Sequence, residues 1–321
     1  MKYDTRADAL MWAIQQRNWG GMEQLELVEI ERPQPLPTEV RVRVKAAGIN
    51  PVDVFTREGK AYMRALTLPH VPGWDICGVV DAIGYGVTRF KPGDEVFGMP
   101  WFPRQAGAYA QYVCAPSGHL ALKPRTLCYE AVAALPLAGL SAWQMLVDVA
   151  ATRPGDRILI NAAAGGVGHL AVQIAKRLGA YVLACTSREK HAFVRTLGAD
   201  EVIDYTVPGA YDAIGDLDTI IELVGGDICL RLLRCLRKGG LLISAQAAWA
   251  PNLRDEAAKR GVRATWFLVE PDRTGLEHLA RLVDEGALRV HLASKFPLAE
   301  AGTAQELIAR RKTMGKIVLT L

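Results

Sequence analysis

The sequence predicts an α/β protein with two domains, one rich in β-strands and one built on a doubly wound parallel sheet. Three observations carry this prediction: a length of 321 residues, extended segments separated by turns over residues 26–122, and alternating strand and helix patterns from Arg157 onward. Because a domain typically holds about 100 to 200 residues, the length suits two domains.

The first half has the pattern of short strands. VRVRVKAAGI alternates along its length, KPGDEVFG contains the turn formers Pro-Gly-Asp, and AYAQYVCAP is strand-like. Such runs bounded by turn residues are typical of β-structure. We therefore expect residues 26–122 to be mostly β, as short extended segments separated by turns.

The second half alternates between two periodicities. Strand patterns occur in RILINAA, AYVLACTS, EVIDY, DTIIELVG and LLISAQ, and helix patterns in LAVQIAKRLG, REKHAFVRTLG and CLRLLRCLRKGG, where the glycines can end the last helix. Strands that alternate with helices imply right-handed β-α-β units and a parallel sheet. RTGLEHLARLVDEGAL predicts a later helix, and KIVLTL predicts a closing strand.

Composition excludes several classes of protein. Half of the residues are hydrophobic, 22% are charged, and the net charge of +4 is spread without a block of like charges. Disorder is poorly supported, and no basic surface for nucleic acid is predicted. The six cysteines form no Cys-x-x-Cys pair, and the N-terminal residues do not resemble a signal peptide, so we expect reduced thiols and a cytoplasmic location.

The longest uncharged run covers residues 131–147 and raises the question of a membrane span. A spanning helix needs about 20 apolar residues. Pro136, Gly139, Ser141 and Gln144 break or polarise this run. We therefore interpret it as a buried crossing between domains and expect no membrane partner.

The first indication of a chemical function is a glycine-rich turn after the first strand of the second half. NAAAGGVG (161–168) matches the dinucleotide fingerprint, with Ala163 in the first glycine position, followed by Gly165 and Gly168. The small residues allow a tight turn, close approach of a diphosphate, and close packing of helix on strand. We predict a Rossmann sheet in which residues 163–168, including Gly166 and Val167, bind the diphosphate at a helix N-terminus.

The next strand, Tyr181–Thr186, ends without the acidic residue that usually holds the ribose hydroxyls of NAD. Ser187, Arg188 and Lys190 follow, and they suit a 2′-phosphate. These residues predict NADPH as the cofactor. The alternative is a helix start at which Arg188 and Lys190 merely face water beside Glu189.

Seven segments together resemble the medium-chain dehydrogenase/reductase superfamily, in its zinc-free quinone oxidoreductase and enoyl reductase branch. They are AGINPVD (47–53), HVPGWDICGVV (70–80), GVTRFKPGDEVFG (86–98), LPLAGLSAW (135–143), INAAAGGVGHLAVQIAK (160–176), LGADEVIDY (197–205) and GKIVLTL (315–321). The resemblance implies a GroES-like catalytic domain (1–130 and 275–321), a Rossmann NADPH-binding domain (131–274), a site in the cleft between them, and a homodimer.

The resemblance also implies that no metal is bound. Zinc-dependent members have a cysteine ligand where this chain has Asn50, and Gly-His-Glu where it has Gly73-Trp74-Asp75. A catalytic zinc needs three protein ligands, typically cysteine and histidine. The closely spaced cysteines of the structural zinc lobe are also missing between Gly98 and Gly107.

The resemblance assigns catalytic roles to two residues. Asn50 is the first candidate beside nicotinamide and substrate, and its alternative role is to satisfy a turn before Pro51. Tyr62 resembles the tyrosine that enoyl reductases of this superfamily use as a hydrogen-bond donor or proton source. Its alternative role is packing or forming a pocket wall. Trp74, Trp101 and Phe102 could line an apolar pocket or belong to the core.

Further cofactor contacts follow from the resemblance alone. Tyr205 would border the ribose phosphate, and Val224, Gly225 and Ala245 would flank the nicotinamide half. Ser141 would place a hydroxyl beside the cofactor, and Lys316 in the last strand would also lie near it. The alternative for Lys316 is an exposed side chain, which is usual for a lysine in a terminal strand.

These residues predict hydride transfer from NADPH to a small molecule with a conjugated carbonyl group. Without a Lewis acid, a quinone, an enone or an enoyl thioester is the suitable acceptor, because the developing charge falls on an oxygen that neutral donors can stabilise. Two alternatives stay open: a reductive cyclase that uses the same hydride step in natural-product biosynthesis, and a protein that holds NADPH without turnover.

Overall fold

Residues 9–245 and 250–321 are described by the structure, a computed structural model, and they divide into two units. The first unit holds the described residues up to Leu140 together with Glu270–Glu285 and Val290–Leu321. The second unit holds the described residues of Ser141–Val269 and Gly286–Arg289. The domain boundaries implied by the resemblance stay predictions.

Strands and helices follow one another along both units. The strands, in chain order, are β1 (Leu10–Gln16), β2 (Leu25–Glu31), β3 (Glu39–Ile49), β4 (Asp75–Ile83), β5 (Glu95–Gly98), β6 (Tyr112–Pro116), β7 (Leu120–Leu122), β8 (Arg157–Ile160), β9 (Tyr181–Thr186), β10 (Glu201–Asp204), β11 (Leu217–Glu222), β12 (Leu236–Ser244), β13 (Arg263–Trp266), β14 (Leu292–Pro297) and β15 (Lys316–Thr320). The helices are α1 (Pro51–Arg57), α2 (Tyr129–Ala133), α3 (Pro136–Trp143), α4 (Gly168–Arg177), α5 (His191–Thr196), α6 (Ile228–Leu232), α7 (Leu253–Lys259), α8 (Arg273–Asp284) and α9 (Ala301–Ala309).

The first unit contains a seven-stranded sheet in the order β14-β15-β3-β4-β5-β7, with β6 also paired to β3. Neighbouring strands are antiparallel except for β14 and β15, which run parallel. In β3, Val40, Val42 and Val44 are buried and belong to the core of this unit. The alternation read from VRVRV thus forms a strand at the centre of the sheet, and the β-rich first half is confirmed.

One helix of the first unit lies where extended structure was expected. Helix α1 begins directly after β3, with Pro51 in its first turn. Proline is favoured there because the first N–H groups of a helix have no intrahelical acceptor. The carboxylate of Asp53 accepts from the backbone N–H of Asn50 at 2.8 Å, which stabilises the helix start. Residues 26–122 are therefore mostly β, as predicted, with a helix at residues 51–57 that the strand pattern did not indicate.

The second unit contains a six-stranded parallel sheet in the order β10-β9-β8-β11-β12-β13. Counted from β8 as the first strand, this is the order 3-2-1-4-5-6 of a doubly wound Rossmann sheet. Ile158, Leu159 and Ile160 of β8 are fully buried, as expected for a strand in a parallel sheet with covered faces. The predicted α/β fold is confirmed.

The helix predicted over CLRLLRCLRKGG is shorter than expected. Helix α6 ends at Leu232, a 3₁₀ turn follows to Cys235, and strand β12 already begins at Leu236. Leu236 pairs with Leu217 of β11, and the register shifts before the next pair. Gly239 adopts a φ of 77° in this strand. Both glycines therefore lie in a strand and do not end the helix, because pairing with β11 overrides the local pattern.

The uncharged run 131–147 forms several short helical pieces. Helices α2 and α3 are followed by a π-helix over Gln144–Val149. Within residues 9–245 and 250–321, no helix combines the length and the apolar character that a membrane crossing requires.

Candidate active site

In the second unit, the turn after β8 has the form that the glycine fingerprint predicts. The N–H of Ala163 donates to the carbonyl of Cys185 at 3.0 Å. A Cβ added at Gly168 would lie 2.3 Å from the carbonyl oxygen of Ala162, which leaves no room for a side chain. Gly165 is less confined, since an added Cβ would lie 3.1 Å from the same oxygen. The close approach of α4 to the turn therefore requires glycine at position 168.

Backbone amides at the start of α4 are available to an anion. The N–H groups of Gly166, Val167 and Gly168 donate no hydrogen bond to any residue that the structure describes. The first N–H groups of a helix lack intrahelical acceptors, and the helix dipole favours negative charge at this end. These three donors fit a diphosphate group.

Polar residues surround the end of β9. The hydroxyl of Ser187 donates to Glu189 at 2.6 Å, so this acid has a partner within the turn. Arg188 is exposed, Lys190 is half-buried, and Tyr205, at the end of the neighbouring strand, is 55% exposed. An exposed cation, a hydroxyl and an aromatic ring therefore border the place where an adenosine phosphate was predicted.

Sequence reasoning missed a second acid at this edge. Asp204 lies opposite Thr186 in the pairing of β10 with β9. Its carboxylate accepts from the amide of Thr206 at 3.0 Å and from the hydroxyl at 2.6 Å. These hydrogen bonds lower the pKa of Asp204, and the nearby charge of Arg188 adds to the shift. Asp204 is a charged neighbour of Arg188 that only the strand register reveals.

A buried carboxylate, Glu222, connects the carboxyl ends of three adjacent strands. Glu222 ends β11 and is fully buried. It accepts from the side-chain amide of Asn161, directly after β8, at 3.0 Å and from the hydroxyl of Ser244, the last residue of β12, at 2.7 Å. The thiol of Cys229 donates to it at 3.3 Å. One side chain thereby fixes β8, β11 and β12 at the edge where dinucleotides bind in Rossmann sheets.

The same carboxylate holds the loop after β11. It accepts from the backbone N–H of Val224 at 2.7 Å and of Gly225 at 2.8 Å. Asn161 accepts from the N–H of Leu223 at 2.5 Å. Val224 keeps a 42% exposed side chain, so the loop that was predicted to flank nicotinamide is anchored through its backbone.

Two further predicted cofactor contacts lie near strand and helix ends of the second unit. Ala245 follows β12, and its N–H donates to the backbone carbonyl of Glu222 at 3.0 Å. Ser141 lies on α3 and is 4% exposed. Their contacts with a cofactor stay predictions.

In the first unit, Asn50 lies in a buried cluster of charged groups. Its side-chain N–H donates to Asp75 Oδ2 at 2.9 Å, and its Oδ1 accepts from the ammonium of Lys316. That ammonium also donates to the carbonyl of Ile49 at 2.9 Å and lies 3.8 Å from Asp75 Oδ2. Asp75 Oδ1 accepts from the N–H of Leu137 at 2.9 Å. Both the nitrogen and the oxygen of the Asn50 side-chain amide are thus hydrogen-bonded.

The cluster is buried. Asn50, Asp75 and Lys316 are 1%, 0% and 2% exposed. Burial raises the pKa of Asp75 and lowers the pKa of Lys316, while the attraction between the two charges opposes both shifts. The alternative that a lysine in the terminal strand is simply exposed does not hold, because Lys316 is buried and paired internally. The predicted contact of Lys316 with the cofactor stays a prediction.

A second buried carboxyl, Asp53, lies beside this cluster. It accepts from the hydroxyl of Tyr109 at 2.7 Å and from the N–H of Asn50 at 2.8 Å. Burial raises the pKa of Asp53 to about 7, although the two hydrogen bonds oppose the shift. Tyr109 is fully buried, and burial together with the charge of Asp53 raises its pKa.

The raised pKa of Asp53 predicts a pH dependence of stability. Its pKa is about 7 in the folded state against 3.8 as the reference value for the unfolded chain, so the folded protein binds this proton more tightly. The free energy of unfolding should therefore rise as the pH falls from about 8 towards 5, because a proton bound more tightly by the folded state stabilises it. Urea unfolding of wild type and Asp53→Asn at several pH values would measure the difference in slope.

A matched control is Asp94→Asn. Hydrogen bonds to Lys91 lower the pKa of Asp94, so this carboxyl should not titrate between pH 8 and 5. We expect this variant to keep the wild-type slope and Asp53→Asn to flatten it. Parallel curves for wild type and Asp53→Asn would contradict the assignment.

Tyr62 lies in an aromatic group rather than in the buried cluster. Its ring meets Phe102 edge-on at 5.4 Å and Trp74 at 6.3 Å between centroids, and Trp74 and Phe102 are 5.2 Å apart. Tyr62 is half-buried, and burial raises its pKa. No described residue hydrogen-bonds its hydroxyl, which leaves that group available to a ligand.

Trp101 does not join this group. Its indole N–H donates to the carbonyl of Cys114 at 3.0 Å, and its ring packs against His119. Of the three aromatic residues proposed to line a pocket, Trp74 and Phe102 therefore lie together, and Trp101 does not lie with them.

Metal ligands were not expected in this chain. In the part of the chain that the structure describes, no three histidine, cysteine, aspartate or glutamate side chains are grouped so as to hold a metal ion. The side chain of Asn50 is hydrogen-bonded to Lys316 and Asp75, and the indole N–H of Trp74 donates to the carbonyl of Arg104 at 2.7 Å. The six cysteines are unpaired, as predicted.

Sequence comparison places these features in a family. The family descriptions "Alcohol dehydrogenase GroES-like domain" and "Zinc-binding dehydrogenase" match residues 36–125 and 197–319. The quinone oxidoreductase of Rattus norvegicus is 32% identical, with 97% of this chain and 98% of the relative covered. The NADPH-dependent alkenal/one oxidoreductase of Arabidopsis thaliana chloroplasts is 33% identical over 94% of this chain and 77% of the relative.

A solved structure agrees with these relatives. The quinone oxidoreductase from Coxiella burnetii is 35% identical, superposes with a TM-score of 0.92, and covers 97% of this chain and 99% of its own. The sheet orders of both units, the glycine turn before α4 and the full-length similarity lead to one conclusion. This chain belongs to the zinc-free quinone oxidoreductase branch of the medium-chain dehydrogenase/reductase superfamily.

Proposed function

We propose that this protein is an NADPH-dependent, zinc-independent reductase that transfers hydride to a conjugated carbonyl compound. The observation that carries the proposal is an unpaired N–H in the side-chain amide of Asn50. One of its two N–H hydrogens binds Asp75, and the other has no acceptor among the described residues. A buried neutral donor of this kind suits an oxygen on which negative charge develops.

The residues of the second unit fit NADPH. The free amides of Gly166, Val167 and Gly168 would hold the diphosphate, and Gly165, which has no side chain, would let it approach the backbone. Arg188 and Lys190, with Tyr205 beside them, would hold the 2′-phosphate through charge-assisted hydrogen bonds. Ser187 would join them by turning its hydroxyl from Glu189 to the phosphate. When bound, NADPH supplies the hydride.

The first unit would act on the substrate. When hydride reaches the carbon β to a carbonyl group, the electron pair of the C=C bond moves towards the carbonyl oxygen, and an enolate develops. The free N–H of Asn50 would donate to that oxygen, and the hydroxyl of Tyr62 is the candidate to supply the proton that completes the reduction. The name of the Arabidopsis relative, an alkenal/one oxidoreductase, supports this substrate class.

Deuterium transfer tests the proposed reaction. With NADPH labelled at the 4-position of nicotinamide, we expect deuterium on the β-carbon of the product from an activated enone, as read by NMR. Deuterium on a carbinol carbon would mean simple carbonyl reduction and would reject the proposal. NADPH binding without turnover of any activated enone or quinone would instead favour a non-catalytic protein.

Two finer statements also stay proposals. A reductive cyclase would begin with the same hydride step as a simple reductase. A new ring in the product would identify the cyclase. The homodimer and the cytoplasmic location stay predictions from the resemblance and from the sequence.

A further inference from the structure

We propose that Lys316 and Asp75 are positioning residues that fix the Asn50 amide in one of its two orientations, with its free N–H directed at the substrate oxygen. This inference rests on the role that the proposed function gives Asn50. It replaces direct cofactor binding, which the resemblance implies for Lys316, with an action through Asn50.

The chemistry of the two partners selects the orientation. A lysine ammonium has only donors, so it must face the oxygen of the amide, and a carboxylate has only acceptors, so it must face the nitrogen. Both contacts are present, at Oδ1 and at Nδ2. Rotating the amide group by 180° would place its N–H groups next to the ammonium of Lys316 and its oxygen next to the carboxylate of Asp75. Both contacts would become repulsive, so the orientation is unique.

The partners are themselves held in place. Lys316 also donates to the carbonyl of Ile49, and Asp75 also accepts from the N–H of Leu137, both at 2.9 Å. Gly48 lies against Asp75, since an added Cβ would be 2.9 Å from Asp75 Oδ2 and 2.4 Å from the carbonyl of Ala133. Neither charged group can leave the cluster without losing a buried contact, which is costly in free energy.

The ammonium of Lys316 has little capacity left for another ligand. Two of its three hydrogens are used by Ile49 and Asn50, and the charge of Asp75 lies 3.8 Å away. The geometry therefore assigns Lys316 to Asn50 rather than to a phosphate.

A double-mutant cycle tests this assignment. We expect Lys316→Met to lower kcat on an activated enone about 10-fold when Asn50 is present, but less than about twofold in the Asn50→Ala background, because a residue that acts through another shows no separate effect once that residue is gone. The dissociation constant of NADPH should change less than about twofold in every variant. Multiplicative losses of kcat, or a raised dissociation constant in both backgrounds, would overturn the inference.

Two further variants guard against misfolding. Asp75→Asn removes the negative charge and one of the two acceptor oxygens at constant size, and its cycle with Asn50→Ala should show the same dependence. Lys295→Met on the neighbouring strand β14 is the matched control, since Lys295 pairs at the surface with Glu130. This control should keep the wild-type kcat.

A spectroscopic measurement separates this inference from the proposed function. In wild type, the two Nδ2 hydrogens of Asn50 should give separate NMR signals that exchange slowly with water, one of them shifted by the carboxylate. Loss of this slow exchange in Lys316→Met or Asp75→Asn supports the inference even if no enone is reduced. Unchanged signals in both variants would overturn it, whatever the activity.

Discussion

Replacing Asn50 with alanine is expected to lower turnover on an activated enone or quinone by about 100- to 1,000-fold, or about 2.7 to 4 kcal/mol in the barrier. A donor that binds the developing enolate more strongly than the substrate lowers the barrier of the chemical step. The dissociation constant of NADPH should change little, because the residues proposed to contact its diphosphate and 2′-phosphate lie in the second unit. Steady-state kinetics and cofactor titration measure the two quantities separately.

The same substitution also disturbs the buried cluster, so its stability must be measured alongside. Lys316 and Asp75 each lose a hydrogen-bond partner in Asn50→Ala. Tyr62→Phe is a milder comparison, because it removes only a hydroxyl, and it should lower turnover only if that hydroxyl is a donor or proton source. A folded Asn50→Ala enzyme with a raised KM and an unchanged kcat would show that Asn50 only shapes the pocket.

The second large effect concerns the choice of cofactor. NADPH should bind about 10- to 150-fold more tightly than NADH, since one charge-assisted phosphate contact contributes roughly 1.5 to 3 kcal/mol. Arg188→Ala should remove most of this difference by weakening NADPH alone. Titration of cofactor fluorescence against each protein measures both dissociation constants.

Arg195→Ala is the matched control for charge, because Arg195 is an exposed cation at the last turn of α5. It should leave both dissociation constants unchanged. Equal affinity of the wild-type protein for NADH and NADPH would reject the phosphate site. A preference that persists in Arg188→Ala would move the phosphate contact to Lys190 or Tyr205.

The fold of the second unit could be predicted because its signals are local. Strand and helix periodicities follow one another along the chain, and the turn at 161–168 lies between a strand and a helix in sequence as it does in space. The helix predicted to run to Gly239 failed for the opposite reason. Pairing of Leu236 with Leu217 joins residues that are distant in sequence, and no short window contains that information.

The candidate site was predictable only in part. The I-N-P segment and the C-terminal lysine were identified as site residues through resemblance, but the contact between Asn50 and Lys316 joins positions 266 residues apart. Asp75 stood out in the sequence only as a missing zinc ligand, Asp53 only as the last residue of the AGINPVD segment, and no pattern pointed to a role for Glu222. Their importance comes from burial and from the donors around them, which depend on tertiary packing.

The anchoring of the loop after β11 has a consequence for the entropy of cofactor binding. Glu222 and Asn161 hold the backbone N–H groups of residues 223–225 through hydrogen bonds within the protein. Ordering a mobile loop on binding costs conformational entropy, and a loop ordered beforehand avoids that cost. Cofactor binding should therefore lose little conformational entropy at this edge, and more of the interaction energy should appear as affinity.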